Sequence, residues 1–222
     1  MTATACFSFD HLGDLAAFFA LLERHDLRGS FFVQGEFGER EPDGVAEIVA
    51  RGHELGMHGW AHEQWSALDA AEEHELAARA TGALERASGT RPRGFRAPAG
   101  ARSPATARVL AGLGYRYDAS LADDGGTAPG VLAPGLAQVP FVWAGVDGAY
   151  YLRPDPADPA EVRDRWLAVL GRGLFVPICH AEITGSADDR LAVLDDVMGA
   201  AVANDAVRIR TVGELAEEVL SR

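Results

Sequence analysis

The chain has 222 residues, of which 48% are hydrophobic and 24% are charged, values that suit one globular domain with a substantial core. Its 33 acidic and 20 basic residues give a formal net charge of −13. A chain this acidic is repelled by phosphate backbones and by anionic lipids, so nucleic acid and membrane surfaces are excluded as expected partners.

The N-terminal segment MTATACFSFD lacks the basic region, apolar core and small-residue cleavage site of a secretory signal. No apolar stretch approaches the ~18 residues of a membrane span. We therefore expect a cytoplasmic protein whose two cysteines, Cys6 and Cys179, are buried free thiols. A small molecule is the expected partner, and the sequence is compatible with a homo-oligomer.

Short apolar runs alternate with amphipathic segments along the first half of the chain. One amphipathic segment is DLAAFFALLERHD, which has Leu15, Phe18 and Leu22 at helical spacing. The capping box formed by Asp69 and Glu72 predicts the start of a long helix. The predicted strands here are 5–10, 29–34, 53–59 and 94–100, and the predicted helices are 14–26, 42–52, 69–88 and 103–113.

The second half continues this alternation around a long segment rich in Gly, Pro and Asp. That segment predicts a loop at 121–138, followed by extended structure over 138–145 that continues into GAYYL. The other predicted strands are 115–120, 174–182 and 207–212, and the other helices are 158–171, 186–204 and one capped by Thr211 and Glu214. The pattern predicts one α/β domain over residues 1–222, either a barrel or an open doubly wound sheet with parallel strands.

Polar side chains stand at the points where the apolar runs end. In α/β folds the active groups cluster at the carboxyl ends of parallel strands, so residues distant in sequence can face one cleft. The residues selected by this rule are Asp10, His11, His58, His62, Arg96, Asp118 and His180.

The segment HGWAH carries the sharpest local signal. Its two histidines, His58 and His62, are four residues apart, so on a helical turn both imidazoles would project from one face and could share a metal ion. A pair at this spacing is also compatible with two hydrogen-bonded or surface histidines. The position after a strand, and the glycine and tryptophan inside the segment, favour a site.

Six segments with recognisable motifs follow one another along nearly the whole chain: FSFDH, GSFFVQGEF, HELGMHGWAHE, GFRAPAG, LAGLGYRYDASL and PICH. In this order they resemble the motifs of the polysaccharide deacetylases and their allantoinase-like relatives, which hydrolyse C–N bonds other than peptide bonds. The segment VPFVWAGVDGAYYL is similar to the pocket wall of the allantoinase-like branch.

The resemblance implies a distorted (β/α) barrel of about seven parallel strands with one divalent metal ion. By position in the motifs, Asp10 would be the catalytic base, Arg96 would orient it, and His180 would be the general acid. The histidines His58 and His62 would be metal ligands. Amide hydrolysis independently requires an activated water, a charge sink for the oxyanion and a proton donor for the departing amine.

One residue departs from the family pattern. Where the family usually has a second aspartate as the third metal ligand, this chain has His11. A shell of His11, His58 and His62 suits Zn²⁺, and nitrogen ligands favour zinc, nickel or cobalt over manganese or magnesium. Two other interpretations stay open: His11 points away and Asp14 or water takes its place, or the metal has been lost.

The same resemblance suggests the substrate contacts. Trp60 and Trp143 are candidate pocket walls for stacking on a sugar or ring, although aromatic residues at such positions also serve as ordinary packing. By resemblance alone, Asp147 and Tyr150 are further candidate substrate contacts.

Taken together, the residues and the resemblance predict a metal-dependent amidohydrolase that acts on a small amino-sugar conjugate or biosynthetic intermediate. A metal-independent enzyme that moves protons, such as an isomerase or cyclase, is an alternative use of the same cleft. A relative that binds its ligand without catalysis is the other alternative. Activity that is insensitive to chelators would favour the metal-independent enzyme. An Asp10→Asn variant that keeps the full biological effect would favour the non-catalytic binding protein.

Overall fold

Eleven strands form the centre of the structure, a computed structural model that describes residues 3–222. In chain order they are β1 (Ala3–Ala5), β2 (Ser8–Asp10), β3 (Ser30–Val33), β4 (Glu54–Met57), β5 (Gly94–Phe95), β6 (Tyr117–Asp118), β7 (Gly130–Ala133), β8 (Leu136–Gln138), β9 (Leu174–Phe175), β10 (Ile178–His180) and β11 (Val207–Ile209).

Nine α-helices connect these strands within the same residues. They are α1 (Ala16–Arg24), α2 (Phe37–Arg40), α3 (Pro42–Ala50), α4 (Ala70–Ser88), α5 (Thr106–Gly112), α6 (Gly148–Tyr151), α7 (Pro159–Val169), α8 (Asp188–Val202) and α9 (Val212–Leu220). Short 3₁₀ turns lie at Trp65–Ala67, Pro98–Gly100 and Trp143–Gly145. None of these helices is both long and apolar enough to cross a membrane.

The strands form a parallel array in the order β10-β2-β3-β4-β5-β6-β8, to which β7 adds an antiparallel edge. A second sheet has the order β11-β1-β9, also parallel. The register sets His180 directly beside Asp10, and Asp10 beside Phe32. Two candidate acid–base side chains are therefore neighbours at the same end of the array.

The array closes on itself through an isolated backbone bridge. After β8 the chain runs through residues 139–146, and Val146 forms an isolated parallel bridge with Ile178 of β10. The array therefore closes without a full strand at this position. This arrangement confirms the expected α/β fold, a distorted barrel, and the gap between β8 and β10 is where it is distorted.

Two of the local predictions that are wrong lie between β6 and α7. The predicted loop at 121–138 contains the β7–β8 hairpin, which turns at Gly135 with a φ of 77°. The GAYYL segment is not extended; it begins the short helix α6, whose first N–H, at Gly148, is bonded by the side chain of Asp147. Side-chain capping of this kind starts helices in segments whose composition alone indicates a strand.

The core is built largely from aromatic residues packed between strands and helices. The ring of Phe9 on β2 lies 4.6 Å from those of both Phe18 on α1 and Phe31 on β3, measured between centroids. All three are fully buried, and burial of one such side chain stabilises the fold by about 1.5–3 kcal/mol. Both Cys6 and Cys179 are buried free thiols, as predicted.

The capping boxes predicted from the sequence are both present. At α4, Asp69 accepts from the N–H of Glu72 while the Glu72 side chain accepts from the N–H of Asp69. At α9, Thr211 and Glu214 form the same reciprocal pair. Each pair satisfies two N–H groups that have no partner inside the helix, which explains why these two helix starts were readable from short-range sequence.

Gly94 is required by close packing inside the barrel. A Cβ at this position would lie 2.0 Å from Cζ of Tyr117, whose hydroxyl donates to Oε1 of Glu54 over 2.8 Å. We expect Gly94→Ala to displace Tyr117 and lower the free energy of unfolding by about 1–3 kcal/mol, measured by thermal unfolding. The control is Gly112→Ala on α5, where an added Cβ meets nothing within 4 Å. An unchanged Tm for Gly94→Ala would contradict this account.

Candidate metal and acid–base site

The carboxyl ends of β2, β4, β5 and β10 open into a cleft with a volume of about 340 Å³. Titratable side chains that converge in one cavity are typical of functional sites. The polar residues that line the cleft are Asp10, His11, His58, His62, Arg96, His180 and Glu182. Six of these seven were selected from the sequence, and Glu182 was not.

Arg96 holds Asp10 through a buried ion pair. Nη1 of Arg96 donates to Oδ1 of Asp10 over 2.6 Å, and the two side chains are 1% and 7% exposed. The same guanidinium also donates to Oγ of Ser8 and to the carbonyl oxygen of Ala119, over 3.1 Å each. Its Cζ atom lies 4.1 Å from the ring centroid of Phe32. Contacts on several sides fix the guanidinium, and Arg96 in turn fixes the Asp10 carboxylate.

The charge state of Asp10 follows from these neighbours. Burial pushes the pKa of Asp10 upward, but the positive charge of Arg96, with contributions from His58 and His180, outweighs burial and holds the pKa below its usual value. Asp10 is therefore ionised at neutral pH. An ionised carboxylate in this position can accept a proton.

His58 presents its Nε2 atom to the cleft. Its Nδ1–H donates to the carbonyl oxygen of Arg96 over 2.9 Å, and Nε2 lies 3.9 Å from Oδ2 of Asp10. Burial lowers the pKa of His58 to about 3, against the opposing effect of Asp10. The imidazole is therefore neutral, and the Nδ1 hydrogen bond leaves the Nε2 lone pair free for a cation.

His11 is held in the same manner by an acidic residue. It follows β2 with a φ of 69°, in the left-handed region, and its Nδ1–H donates to Oε1 of Glu182 over 3.0 Å. Its Nε2 is buried and has no hydrogen-bond partner among residues 3–222. Around a metal-binding histidine, a carboxylate usually fixes one imidazole nitrogen while the other nitrogen faces the metal site.

The three imidazoles fit a divalent cation. Nitrogen atoms of His11, His58 and His62 lie within 4.8 Å of one another. Burial, and then the neighbouring His11, lower the pKa of His62, which favours its neutral form. Three imidazole nitrogens at this spacing suit zinc and neighbouring transition metals. The prediction that a helical turn aligns the HGWAH pair is wrong, because Gly59 and His62 have φ values of 75° and 64° and form a turn.

His180 and Asp147 form the second charged pair. Nδ1–H of His180 donates to Oδ1 of Asp147 over 2.6 Å, and the backbone N–H of His180 donates to Oδ2 over 2.8 Å. Burial would lower the pKa of His180, but the hydrogen bond and charge of Asp147 outweigh it and raise the pKa above its usual value. At neutral pH this imidazole is accordingly more protonated than a free histidine and can donate a proton.

The structure reassigns three of the four candidate substrate contacts. Asp147 is fully buried beneath His180 and does not line the cleft. Tyr150 donates its hydroxyl to the carbonyl oxygen of Ala144, and Trp60 lies outside the cleft with Cζ of Arg79 at 3.6 Å from its ring centroid. Trp143 alone among the four lines the cleft.

Two further acidic candidates have structural partners. Asp118 is fully buried and pairs over 2.7 Å with Nη1 of Arg102, so it fixes the loop after β6 and does not reach the cleft. Asp14 accepts from the N–H of Ala16 over 3.1 Å at the start of α1. It therefore does not replace His11 beside the other two histidines.

Neither Glu182 nor the positioning role of Asp147 was identified from the sequence. Glu182 follows His180 by two residues, beyond the end of β10, and this position just past a strand end is the signal that could have found it. Asp147 is 33 residues before its partner, and no local pattern reveals that contact.

The fold and cleft define a distorted barrel with a candidate cation site and an acid–base pair at its strand ends. The family model for polysaccharide deacetylases matches residues 4–117. The chain belongs to the polysaccharide deacetylase family.

Individual relatives agree with this assignment. A peptidoglycan deacetylase of Helicobacter pylori is 27% identical over 169 residues, which are 76% of this chain and 52% of the relative. The chain thus spans about half the length of that relative. A Mycobacterium smegmatis protein assigned as a polysaccharide deacetylase has a solved structure that is 27% identical, with a TM-score of 0.90 over 99% of this chain and 91% of that chain.

A third comparison concerns the fold alone. The solved structure of an allantoinase superposes with a TM-score of 0.84 at 17% identity, covering 97% of this chain and 89% of that chain. This likeness extends the structural resemblance to the allantoinase-like proteins indicated by the sequence motifs.

Proposed function

We propose that the protein is a metal-dependent hydrolase of C–N bonds other than peptide bonds, which removes an acyl group from the nitrogen of a small molecule or opens a related C–N bond. One observation carries the proposal: Asp10, favoured as a carboxylate, and His180, with a raised pKa, lie on adjacent strands beside three converging imidazoles. The family gives support, since it is generally dependent on a divalent metal.

The residues that would hold the metal are His11, His58 and His62. A divalent cation held there would polarise the amide carbonyl, offset the charge of the oxyanion and make a water molecule nucleophilic at neutral pH. Glu182 orients His11, and the carbonyl oxygen of Arg96 orients His58. These contacts fix which nitrogen of each ring faces the cleft.

Asp10 takes the proton from the attacking water. The carboxylate is ionised, and its Oδ1 is bound by Arg96 over 2.6 Å, so Oδ2 is the atom left to accept the proton. Because Arg96 fixes the carboxylate, its orientation is set before the substrate arrives, and no reorganisation is required at the moment of proton transfer.

His180 gives a proton to the departing nitrogen. An amine anion is a poor leaving group, so cleavage requires a proton donor beside the departing nitrogen. Nδ1 of His180 is bound to Asp147, which leaves Nε2–H as the donor towards the cleft. The carboxylate of Asp147 keeps the ring in this tautomer and stabilises its charged form.

Metal loading tests the proposed function. Protein prepared without chelator is expected to contain about one transition-metal ion per chain, measured by elemental analysis, and to lose amide hydrolysis after dialysis against a strong chelator. Readdition of Zn²⁺ should restore the rate. Hydrolysis that survives complete metal removal would contradict the proposal and favour metal-independent proton transfer.

Substitution of His11 tests the ligand set. We expect His11→Ala to weaken metal affinity by on the order of tenfold or more, because loss of an outer-sphere partner alone costs about 10–100-fold. His11→Asp should retain the metal and shift its preference from zinc towards manganese, since carboxylates suit harder ions. Competition titration with a chromophoric chelator measures both effects. The control is His74→Ala, at a position on α4 outside the cleft.

A further inference from the structure

The cleft has two chemically different parts. Its polar part consists of Asp10, Arg96, Glu182 and the four cleft histidines. Every other lining residue within the described chain is apolar or glycine. We name the larger ones the apolar wall: Phe141, Trp143, Val146, Leu152, Ile178 and Ile183.

The polar part offers a sugar few groups beyond those assigned to the reaction, since Oδ2 of Asp10 and Nε2 of His180 are assigned to proton transfer and the buried Nη2 of Arg96 is the further side-chain donor without a partner among the described residues. Asp10 is bound by Arg96, Glu182 by His11, and Nδ1 of His180 by a buried carboxylate. The lining residues of the described chain contribute no serine, threonine, asparagine or glutamine side chain. Hydroxyl groups of a bound sugar would lose hydrogen bonds to water without side-chain replacements, and each such loss is costly.

The apolar wall, in contrast, is open at the mouth of the cleft. Trp143 is 50% exposed and Leu152 is 72% exposed. The Trp143 ring meets Phe141 edge to face, with centroids 5.7 Å apart, so it is held in place without a ligand. Large apolar side chains grouped at a cavity and bordered by polar groups mark a surface that binds an apolar ligand.

The apolar wall is continuous over the start of α6. An added Cβ at Gly148 would lie 3.5 Å from Cδ1 of both Ile183 and Leu152, so these side chains approach each other over the start of α6. Val146 meets Ile178 at the bridge that closes the barrel, and Ile178 precedes His180 by two residues on the same strand. The wall therefore continues directly to the proton donor.

We propose that the cleft takes a small amide with an aromatic or alkyl body, which packs against the apolar wall, and not a glycan chain. The inference rests on the proposed C–N hydrolase function and narrows its substrate class. It departs from the amino-sugar substrate expected from the sequence. A volume of about 340 Å³ lies at the small end of ligand cavities and matches one such molecule.

A matched substrate panel tests this choice. N-acetylphenethylamine and N-ethylphenylacetamide place the same ring on either side of the amide, whereas N-acetylglucosamine and chitotetraose present sugars. We expect kcat/KM for the better phenyl amide to exceed that for both sugars by about tenfold or more. Equal or faster hydrolysis of the sugars would overturn the inference while leaving C–N hydrolysis intact.

Substitution at the mouth of the cleft provides the second arm. Leu152→Asn should lower kcat/KM for the preferred phenyl amide by about tenfold. The substitution should not destabilise the fold, because the Leu152 side chain is 72% exposed. Val131→Asn is the control, since Val131 is 63% exposed on β7 and does not line the cleft. Equal effects of the two substitutions would contradict a role for the wall.

Binding without turnover separates the inference from the proposed function. Calorimetry on metal-loaded Asp10→Asn protein compares N-acetylphenethylamine with N-acetylglucosamine. Tighter binding of the phenyl amide supports the inference, even if the wild-type protein hydrolyses no member of the panel, in which case the hydrolase function fails alone. Tighter binding of the sugar overturns the inference.

Discussion

Asp10→Asn is expected to lower kcat/KM for amide hydrolysis by about 10²–10⁴-fold, the contribution of a positioned general base. The amide oxygen of asparagine can still accept from Arg96, but the side chain no longer takes a proton from water. Metal content should stay unchanged, because the three histidines do not depend on this carboxylate for their hydrogen bonds. Steady-state kinetics and elemental analysis on the same sample measure both.

The variant should also remain folded, with lower stability. Arg96 keeps its bonds to Ser8 and Ala119 and its contact with Phe32, but it loses its buried counter-ion. Removal of one partner of a buried pair costs up to about 3–5 kcal/mol. The kinetics should therefore be measured at a temperature at which circular dichroism shows that the variant is folded. Asp155→Asn, in an exposed part of the chain, is the matched control, and retention of the wild-type rate by Asp10→Asn would refute the base assignment.

The sequence revealed those site residues that stand at the ends of apolar runs. Asp10, His58, Arg96 and His180 each end or follow a short parallel strand, and parallel strands in a barrel deliver their carboxyl ends to one face. Their convergence is therefore a consequence of fold and position. The candidate metal ligand His11 was readable for the same reason, since it follows directly on β2.

The partners of these residues were not readable. Asp147 meets His180 only because the Val146–Ile178 bridge closes the barrel there, and that closure depends on tertiary packing. The spacing of His58 and His62 indicated a helix, yet the glycine between them adopts a positive φ and the chain turns. Spacing thus found the pair correctly but assigned it the wrong local structure.

Tertiary packing also explains why the β7–β8 hairpin and the lengths of β5 and β6 were not predicted. The β7–β8 hairpin is hidden in a segment whose Gly, Pro and Asp content is typical of loops, because a short edge hairpin gains its stability from pairing with β6. Parallel strands as short as β5 and β6, with two residues each, were predicted too long, since the apolar residues beyond them pack in loops.

Opposite neighbours give the two catalytic candidates opposite charge states. Asp10 lies beside a guanidinium that favours its carboxylate, whereas His180 lies beside a carboxylate that favours its imidazolium. A carboxylate base and an imidazolium acid that are both present at the same pH predict a bell-shaped dependence of kcat/KM on pH. The acidic limb reports protonation of Asp10, and the alkaline limb reports loss of the proton from His180.

Asp147→Asn is expected to move only the alkaline limb. Because the carboxylate raises the pKa of His180, its removal lowers that pKa, and the imidazolium is lost at a lower pH. The alkaline limb should therefore shift to lower pH, and kcat should fall by about 10²–10⁴-fold. The acidic limb should stay in place, since Asp10 keeps Arg96. Rates measured from about pH 3 to about pH 10 follow the alkaline limb in full and the acidic limb as far as Asp10 begins to take up a proton, since the pKa of Asp10 lies below its usual value.

Thr184→Val separates this charge effect from a loss of packing. Thr184 donates to Oδ2 of Asp147 over 2.8 Å, so its removal disturbs the same buried carboxylate without neutralising it. One neutral hydrogen bond contributes about 1 kcal/mol, and we expect less than about a tenfold change in rate with no displacement of the alkaline limb. If both variants reduced the rate equally and neither moved the limb, Asp147 would serve to pack α6 against β10 and would not set the proton affinity of His180.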